Sequence, residues 1–191
     1  FAINHTQGIY DSGGIRNYKK YNNFCNKLKG YLQTKRKSDV SFKEIDLMFL
    51  SDFKAYLHKI PNERHPDQLL HPNSIQAILN AFKAIMKEAY HKHPSLIGKS
   101  NPFDSFKYSG EITTKEKLSI AEIRQIINLD IAEGTLMWHC RNYFLFSFYC
   151  AGIRVGDLIQ LRWRNITSEN KLEYVMDKNG KKRDVPLIED A

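Results

Sequence analysis

Residues 151–163 read AGIRVGDLIQLRW. Arg154 follows the glycine at 152 and stands at the start of a short predicted helix, with Asp157 three positions on. Spacing of three puts both side chains on one helical face, while Val155, Leu158, Ile159 and Leu161 supply apolar contacts. An arginine fixed in this way suits bidentate recognition of a phosphate, and the carboxylate can hold the guanidinium from behind.

Further on, residues 171–190 read KLEYVMDKNGKKRDVPLIED. Two short runs, Leu172 to Met176 and Asp184 to Ile188, flank a turn expected on Asn179-Gly180. That dipeptide is the strongest short-range hairpin signal, since both of its residues accept positive φ. Lys178 precedes the turn, and Lys181, Lys182 and Arg183 follow it.

The arginine stretch closely resembles the first arginine box of the tyrosine recombinases, the phage-integrase family that cuts and rejoins DNA. That box runs small residue, Gly, hydrophobic, Arg, two residues, Glu or Asp, Leu, then Leu and Trp. Gly152, Ile153, Arg154, Asp157, Leu158, Leu161 and Trp163 match it. In the family a β-hairpin at this distance carries a catalytic lysine at its tip, and its second strand ends in a Val-Pro-Leu-like sequence, as Val185-Pro186-Leu187 does here. The resemblance implies that Arg154 clamps the scissile phosphate, that Asp157 supports it, and that Lys178 is the general acid, with Lys181 the match if the turn register differs. A family tyrosine forms a 3′-phosphotyrosyl link to DNA without metal or ATP, so no cofactor and no metal are expected. This is covalent catalysis with charge clamps at a transferring phosphoryl group.

Composition fits such a partner. A formal charge of +8 over 191 residues and a pI near 9.3 suit an anionic polymer. No apolar run is long enough to span a bilayer and no signal-peptide pattern opens the chain, so no membrane partner is expected. Cys25, Cys140 and Cys150 lack metal-like spacing and read as reduced, buried thiols of a cytoplasmic protein. The chain starts at Phe1 rather than at a methionine and is expected to be a piece of something longer.

The first half is expected to be helical. Ile15, Tyr18, Tyr21, Phe24, Cys25, Leu28, Tyr31 and Leu32 form one apolar stripe, with Lys19, Lys20 and Lys27 largely off it. A second helix starts near Asp46, with Leu47, Leu50, Phe53, Tyr56, Leu57 and Ile60 inward. Pro61 to Pro72 is a polar, proline-rich connection. A third helix follows Asn73, read as its N-cap with Gln76 three residues later, and ends near His93-Pro94, with Lys83 and Lys87 on an outer face. Three such helices pack as a bundle. Their order, together with Asn101-Pro102-Phe103, resembles the SAM-like core-binding domain of integrases.

The fold expected is therefore mainly α: a helical bundle over 1–105, a linker over 106–117, and an incomplete α+β catalytic domain with a small antiparallel hairpin over 118–191. The linker signal itself, rich in Gly, Ser, Pro, Thr and Lys, extends from Gly98 to Lys117. Ser119 opens a capping box with Glu122, and Ile120, Ile123, Ile126 and Ile127 share a face. The run Leu136 to Cys150 is apolar almost all round, predicting a helix buried on most sides, with His139 a core histidine. DNA contacts are assigned to Lys19, Lys20, Lys83, Lys87, Lys181, Lys182 and Arg183. The family's His-x-x-Arg box and nucleophilic tyrosine have no match before Ala191, so no nucleophile is assigned and this chain alone is expected to be inactive. The expected function is that of a site-specific recombinase self-associating on duplex DNA as a synaptic tetramer. The alternative is a non-catalytic DNA-binding accessory protein that keeps the fold.

Overall fold

The computed structural model describes residues 1–94 and 100–188. Gly98 and Lys99 of the linker signal, and Glu189 to Ala191 at the end of the second domain, lie outside the described residues. The chain divides into two compact units, one from Phe1 to Thr114 and the other from Lys115 onward. The architecture is mainly helical with one small two-stranded antiparallel sheet.

The first unit packs α1 (Ala2–Asp11), α2 (Ile15–Thr34), α3 (Leu47–Leu57) and α4 (Pro72–Lys92) around one aromatic-rich core. Its centre is a stack of Phe24 on Phe82, centroids 4.6 Å apart, met edge-on by Phe53. These rings, with Leu50, Leu57, Leu79 and Met86, are almost wholly withdrawn from water, and burying each large side chain stabilises by about 1.5–3 kcal/mol. The α2 and α3 stripes point inward as their spacing dictates, except that Ile15 and Leu47, at the first turns, are exposed. Gly30 lets the two helices close: a Cβ there would stand 2.7 Å from the Tyr56 hydroxyl.

Three details differ from expectation. A fourth helix, α1, precedes the three predicted; it has no side-chain cap and no acidic residue in its first turn, so it carries no start signal. The N-cap of α4 is His71, not Asn73: His71 Nδ1 accepts the Asn73 amide hydrogen at 3.1 Å, and Pro72 takes the first helical position, where its missing N–H costs nothing. Lys27 is not a free outer cation, because its side chain is mostly buried and donates to Glu63 at 2.6 Å.

Beyond residue 99 the chain returns along α4. Tyr90 donates to the Ser100 carbonyl, Tyr108 to Asn80 Oδ1 at 2.8 Å, and the Glu111 amide to Asn73 Oδ1 at 2.8 Å. Phe103 plugs the core from a short 3-10 turn, Pro102–Asp104, and Phe106 and Tyr108 pack beside it. This strap lies close at Gly110, where a Cβ would fall 2.1 Å from Asn73 Oδ1.

The second unit comprises α5 (Ile120–Ile127), α6 (Leu136–Tyr149), α7 (Val155–Leu158), a 3-10 turn (Trp163–Asn165) and the hairpin β1 (Lys171–Val175) and β2 (Lys182–Pro186). The Ser119–Glu122 capping box opens α5 as read from the sequence. The core is small: Cys150, Ile153, Leu158 and Leu172, flanked by Phe146, Leu161, Tyr174 and Val185 among others.

Here α6 departs from expectation. None of its residues is buried, and Leu136, Met137, Tyr143, Phe144 and Phe148 are exposed. A helix apolar all round needs partners on several sides, and among the described residues α6 meets chiefly α5 and α7. His139 is consequently exposed, stacked on Tyr143 rather than held in a core, and Cys140 is an exposed thiol. The three cysteines are free, with only Cys150 fully buried.

The hairpin forms with a longer connection than Asn179-Gly180 alone would give. Register pairs Val175 with Lys182 and Lys171 with Pro186, so β2 starts two residues before the predicted Asp184. The Met176 amide donates to the Lys181 carbonyl, and the Gly180 amide donates back to Met176 at 2.8 Å. Residues 177–180 thus form a four-residue tip closed by Gly180 at φ +66, in the left-handed region glycine tolerates.

Candidate functional site

The site begins where α6 ends. Cys150 caps the helix, and the chain turns back through Ala151 at φ +56 and Gly152 at φ +76. The Gly152 amide donates to the Ser147 carbonyl at 2.8 Å, and the Ser147 hydroxyl donates to the Ile153 carbonyl at 2.7 Å. These bonds satisfy orphan groups at the helix end and lock the turn. Ile153 then plugs the core, so Arg154 leaves the turn with its backbone direction fixed. Arg154 is the extended residue ahead of α7, and its carbonyl accepts from the Asp157 and Leu158 amides.

Asp157 is the buried charge of the site, 5% exposed. Its Oδ1 accepts the Asp177 amide hydrogen at 2.8 Å, while Oδ2 has no hydrogen bond and faces Arg154 Nη1 at 3.8 Å. The same guanidinium nitrogen lies 3.4 Å from Met176 Sδ. One carboxylate therefore meets the arginine ahead of α7 and the first residue of the hairpin tip together. A buried carboxylate with few partners is costly to isolate, so these contacts constrain one another. Half of the Arg154 side chain stays exposed and able to meet a ligand.

Lys178 is the second residue of the tip, exposed and next to the anchored Asp177. Lys181 closes the loop, and Lys182 and Arg183 enter β2, all exposed. Arg183 pairs across the strands with Tyr174. A small cleft lies between the α6–α7 turn and the hairpin, lined by Cys150, Gly152, Arg154, Tyr174, Met176 and Arg183 among others. Burial pushes the Tyr174 hydroxyl above its ordinary range, the Asp157 charge adds to this, and Arg183 and Arg154 pull the other way. Burial likewise raises the Cys150 thiol. Neither group is primed as a nucleophile, which requires a lowered pKa or an adjacent base.

In the first unit, Lys19 and Lys20 are exposed on α2, with Lys20 Nζ over the Tyr21 ring, and Lys83 and Lys87 are exposed one turn apart on α4. The candidate residues thus fall into two groups. Arg154, Asp157 and the tip carrying Lys178 are joined within the second unit, and the four lysines belong to the first. Sequence reading missed Ser147, Met176 and Asp177. Only Asp177 carried a local signal, as the acidic residue opening an Asp-x-Asn-Gly tip. Among the described residues no group of three His, Cys, Asp or Glu side chains could hold a metal ion, and no helix is long and apolar enough to cross a membrane.

A family model described as the phage integrase SAM-like domain matches residues 1–109. No curated protein matches the chain.

Proposed function

The chain belongs to the phage integrase SAM-like domain family, and from that premise we propose that it is the DNA-gripping domain and the first part of the catalytic domain of a tyrosine-type site-specific recombinase. The first unit, by this reading, tracks duplex DNA through Lys19, Lys20, Lys83 and Lys87. Lys181, Lys182 and Arg183 add contacts beside the site. Arg154 holds a non-bridging oxygen of the scissile phosphate, and Lys178 gives its proton to the departing 5′ oxygen as a tyrosine oxygen bonds to phosphorus. Asp157 acts through Arg154 and the tip rather than on DNA. The observation that carries the reading is the Asp157 carboxylate, which meets Arg154 and the Asp177 amide beside Lys178 and so ties clamp and acid to one anchor. In the family the attacking tyrosine and second arginine follow the hairpin, and copies assemble on DNA as a tetramer. Those roles are assigned to no residue here.

Two measurements test this. Gel-shift titration should show duplex binding that weakens steeply with salt, each neutralised phosphate adding about −0.9 to the log–log slope. The 191-residue chain should form no covalent adduct. In a form that carries the attacking tyrosine, Lys178→Ala should cleave slowly, and a 5′-bridging phosphorothiolate substrate should restore cleavage because a thiolate leaves without a proton. Rescue of Lys181→Ala instead would move the acid to Lys181. Salt-insensitive DNA binding would sink the reading. Normal binding with no cleavage in any longer form would leave a non-catalytic accessory protein.

A further inference from the structure

We propose that Arg183 is a second phosphate-holding residue of the Arg154 site, gripping a backbone phosphodiester in the cleft between β2 and the α6–α7 turn. This rests on the DNA reading above and adds a residue to it.

The hairpin register carries the argument. Leu172 pairs with Val185 and Tyr174 with Arg183, and side chains alternate faces along a strand. Leu172 and Val185 belong to the core, so the face they share is the inner one, turned toward the α6–α7 turn. Arg183 is two residues from Val185 and therefore continues that inner face, while Lys182 and Asp184 fall on the other. A guanidinium at this position reaches the cleft that Arg154 also lines. The Arg183 side chain is exposed and makes no hydrogen bond or ion pair among the described residues.

Arg154 and Arg183 both line this cleft, and the carboxylate beside Arg154 is Asp157, 3.8 Å away and bonded through its other oxygen to the Asp177 amide. Tyr174 lines the same cleft; burial and the Asp157 charge raise its hydroxyl, and the charges of Arg183 and Arg154 pull it down. The cleft volume is about 70 Å³, or room for two waters at ~30 Å³ each. That is room for one tetrahedral oxyanion. Arginine pairs are the usual answer to a phosphate, because planar forks meet its oxygens two at a time.

The test uses the 191-residue chain with inorganic phosphate and, separately, duplex DNA. Side-chain Nε–H signals of Arg154 and Arg183 should shift together as phosphate is added. Arg183→Gln should weaken phosphate binding about tenfold, the loss of one charged hydrogen bond. On duplex DNA the same variant should reduce the salt slope by about 0.9, one phosphate contact. Arg183→Lys should keep most of that slope yet lose phosphate affinity, since charge remains and the fork is gone. Hairpin backbone signals serve as the folding control, and β2 is exposed enough at 183 to accept either change. If Arg154 responds to phosphate while Arg183 does not, the inference falls and the recombinase reading stands. Silence of both arginines with normal DNA binding elsewhere overturns both. Phosphate binding with an unchanged DNA slope overturns the DNA contact in favour of a free-oxyanion site.

Discussion

At Asp157 the two carboxylate oxygens have different partners, and substitutions can separate them. Oδ1 accepts the Asp177 amide hydrogen, and Oδ2 meets only the Arg154 guanidinium. Asp157→Asn keeps an oxygen for the amide while removing the charge, whereas Asp157→Ala removes the acceptor of that part-buried hydrogen bond. The alanine variant should lose about 1–3 kcal/mol of second-unit stability. Asparagine should cost clearly less and leave the hairpin tip in place. Urea unfolding together with amide exchange at Asp177 checks the difference: equal losses would mean that the ion pair, not the amide bond, holds the tip. The surface-facing half of the Arg154 pair contributes little by itself, since exposed ion pairs are screened.

Among the elements, helices with caps and one-sided stripes were legible, and those whose placement depends on distant partners were not. The stripe of α2, the start of α3 near Asp46 and the Ser119–Glu122 box of α5 are local chemistry, and each appears where the residues put it. The hairpin existed in the sequence, but its register did not. Asn179-Gly180 serves both a two-residue turn and the left-handed end of a longer tip, and the Asp157 bond to Asp177, twenty residues away, favours the longer one. The pairing of Arg154 with Asp157 followed from spacing, whereas the contact with Met176 required the fold. For α6 the residues said burial, yet burial also needs a surface to pack against. Its exposed Leu136, Met137, Tyr143, Phe144 and Phe148 make an apolar patch that water disfavours. The 191-residue chain should bind a hydrophobic dye and self-associate as concentration rises, and Leu136→Ser with Phe148→Ser should reduce both. Sedimentation showing a monomer at all concentrations, with no dye binding, would contradict this.

At the scale of the whole chain, the two units differ in core size and should unfold separately. The first holds a ring stack of Phe24, Phe53 and Phe82, and the second a core of four buried residues with a few neighbours. Both tryptophans, Trp138 and Trp163, belong to the second unit. Tryptophan fluorescence therefore reports that unit alone, while far-ultraviolet dichroism is dominated by the long helices of the first. The fluorescence transition should come at lower denaturant. Phe82→Ala should shift the dichroism transition by about 3–5 kcal/mol and leave the fluorescence transition in place. Coincident transitions for both signals would show one cooperative body instead.

The strap along α4 also sets a leash. With Asn80 and Asn73 holding Tyr108 and the Glu111 amide, the chain between the docked strap and the Ser119 cap is residues 112–118, which make no hydrogen bond among the described residues. Fully extended, such a length reaches about 25 Å. If both units grip one duplex, as proposed, so short a tether makes them act at high effective concentration, which falls roughly as the −3/2 power of tether length once the span is exceeded. Asn73→Ala with Tyr108→Phe should release the strap, expose Phe106 to Lys107 to proteolysis, and weaken duplex binding severalfold without touching a basic residue. Unaltered affinity after release would mean that the two grips never share a duplex. Side-chain amides of α4 thereby fix where the strap ends and the tether begins.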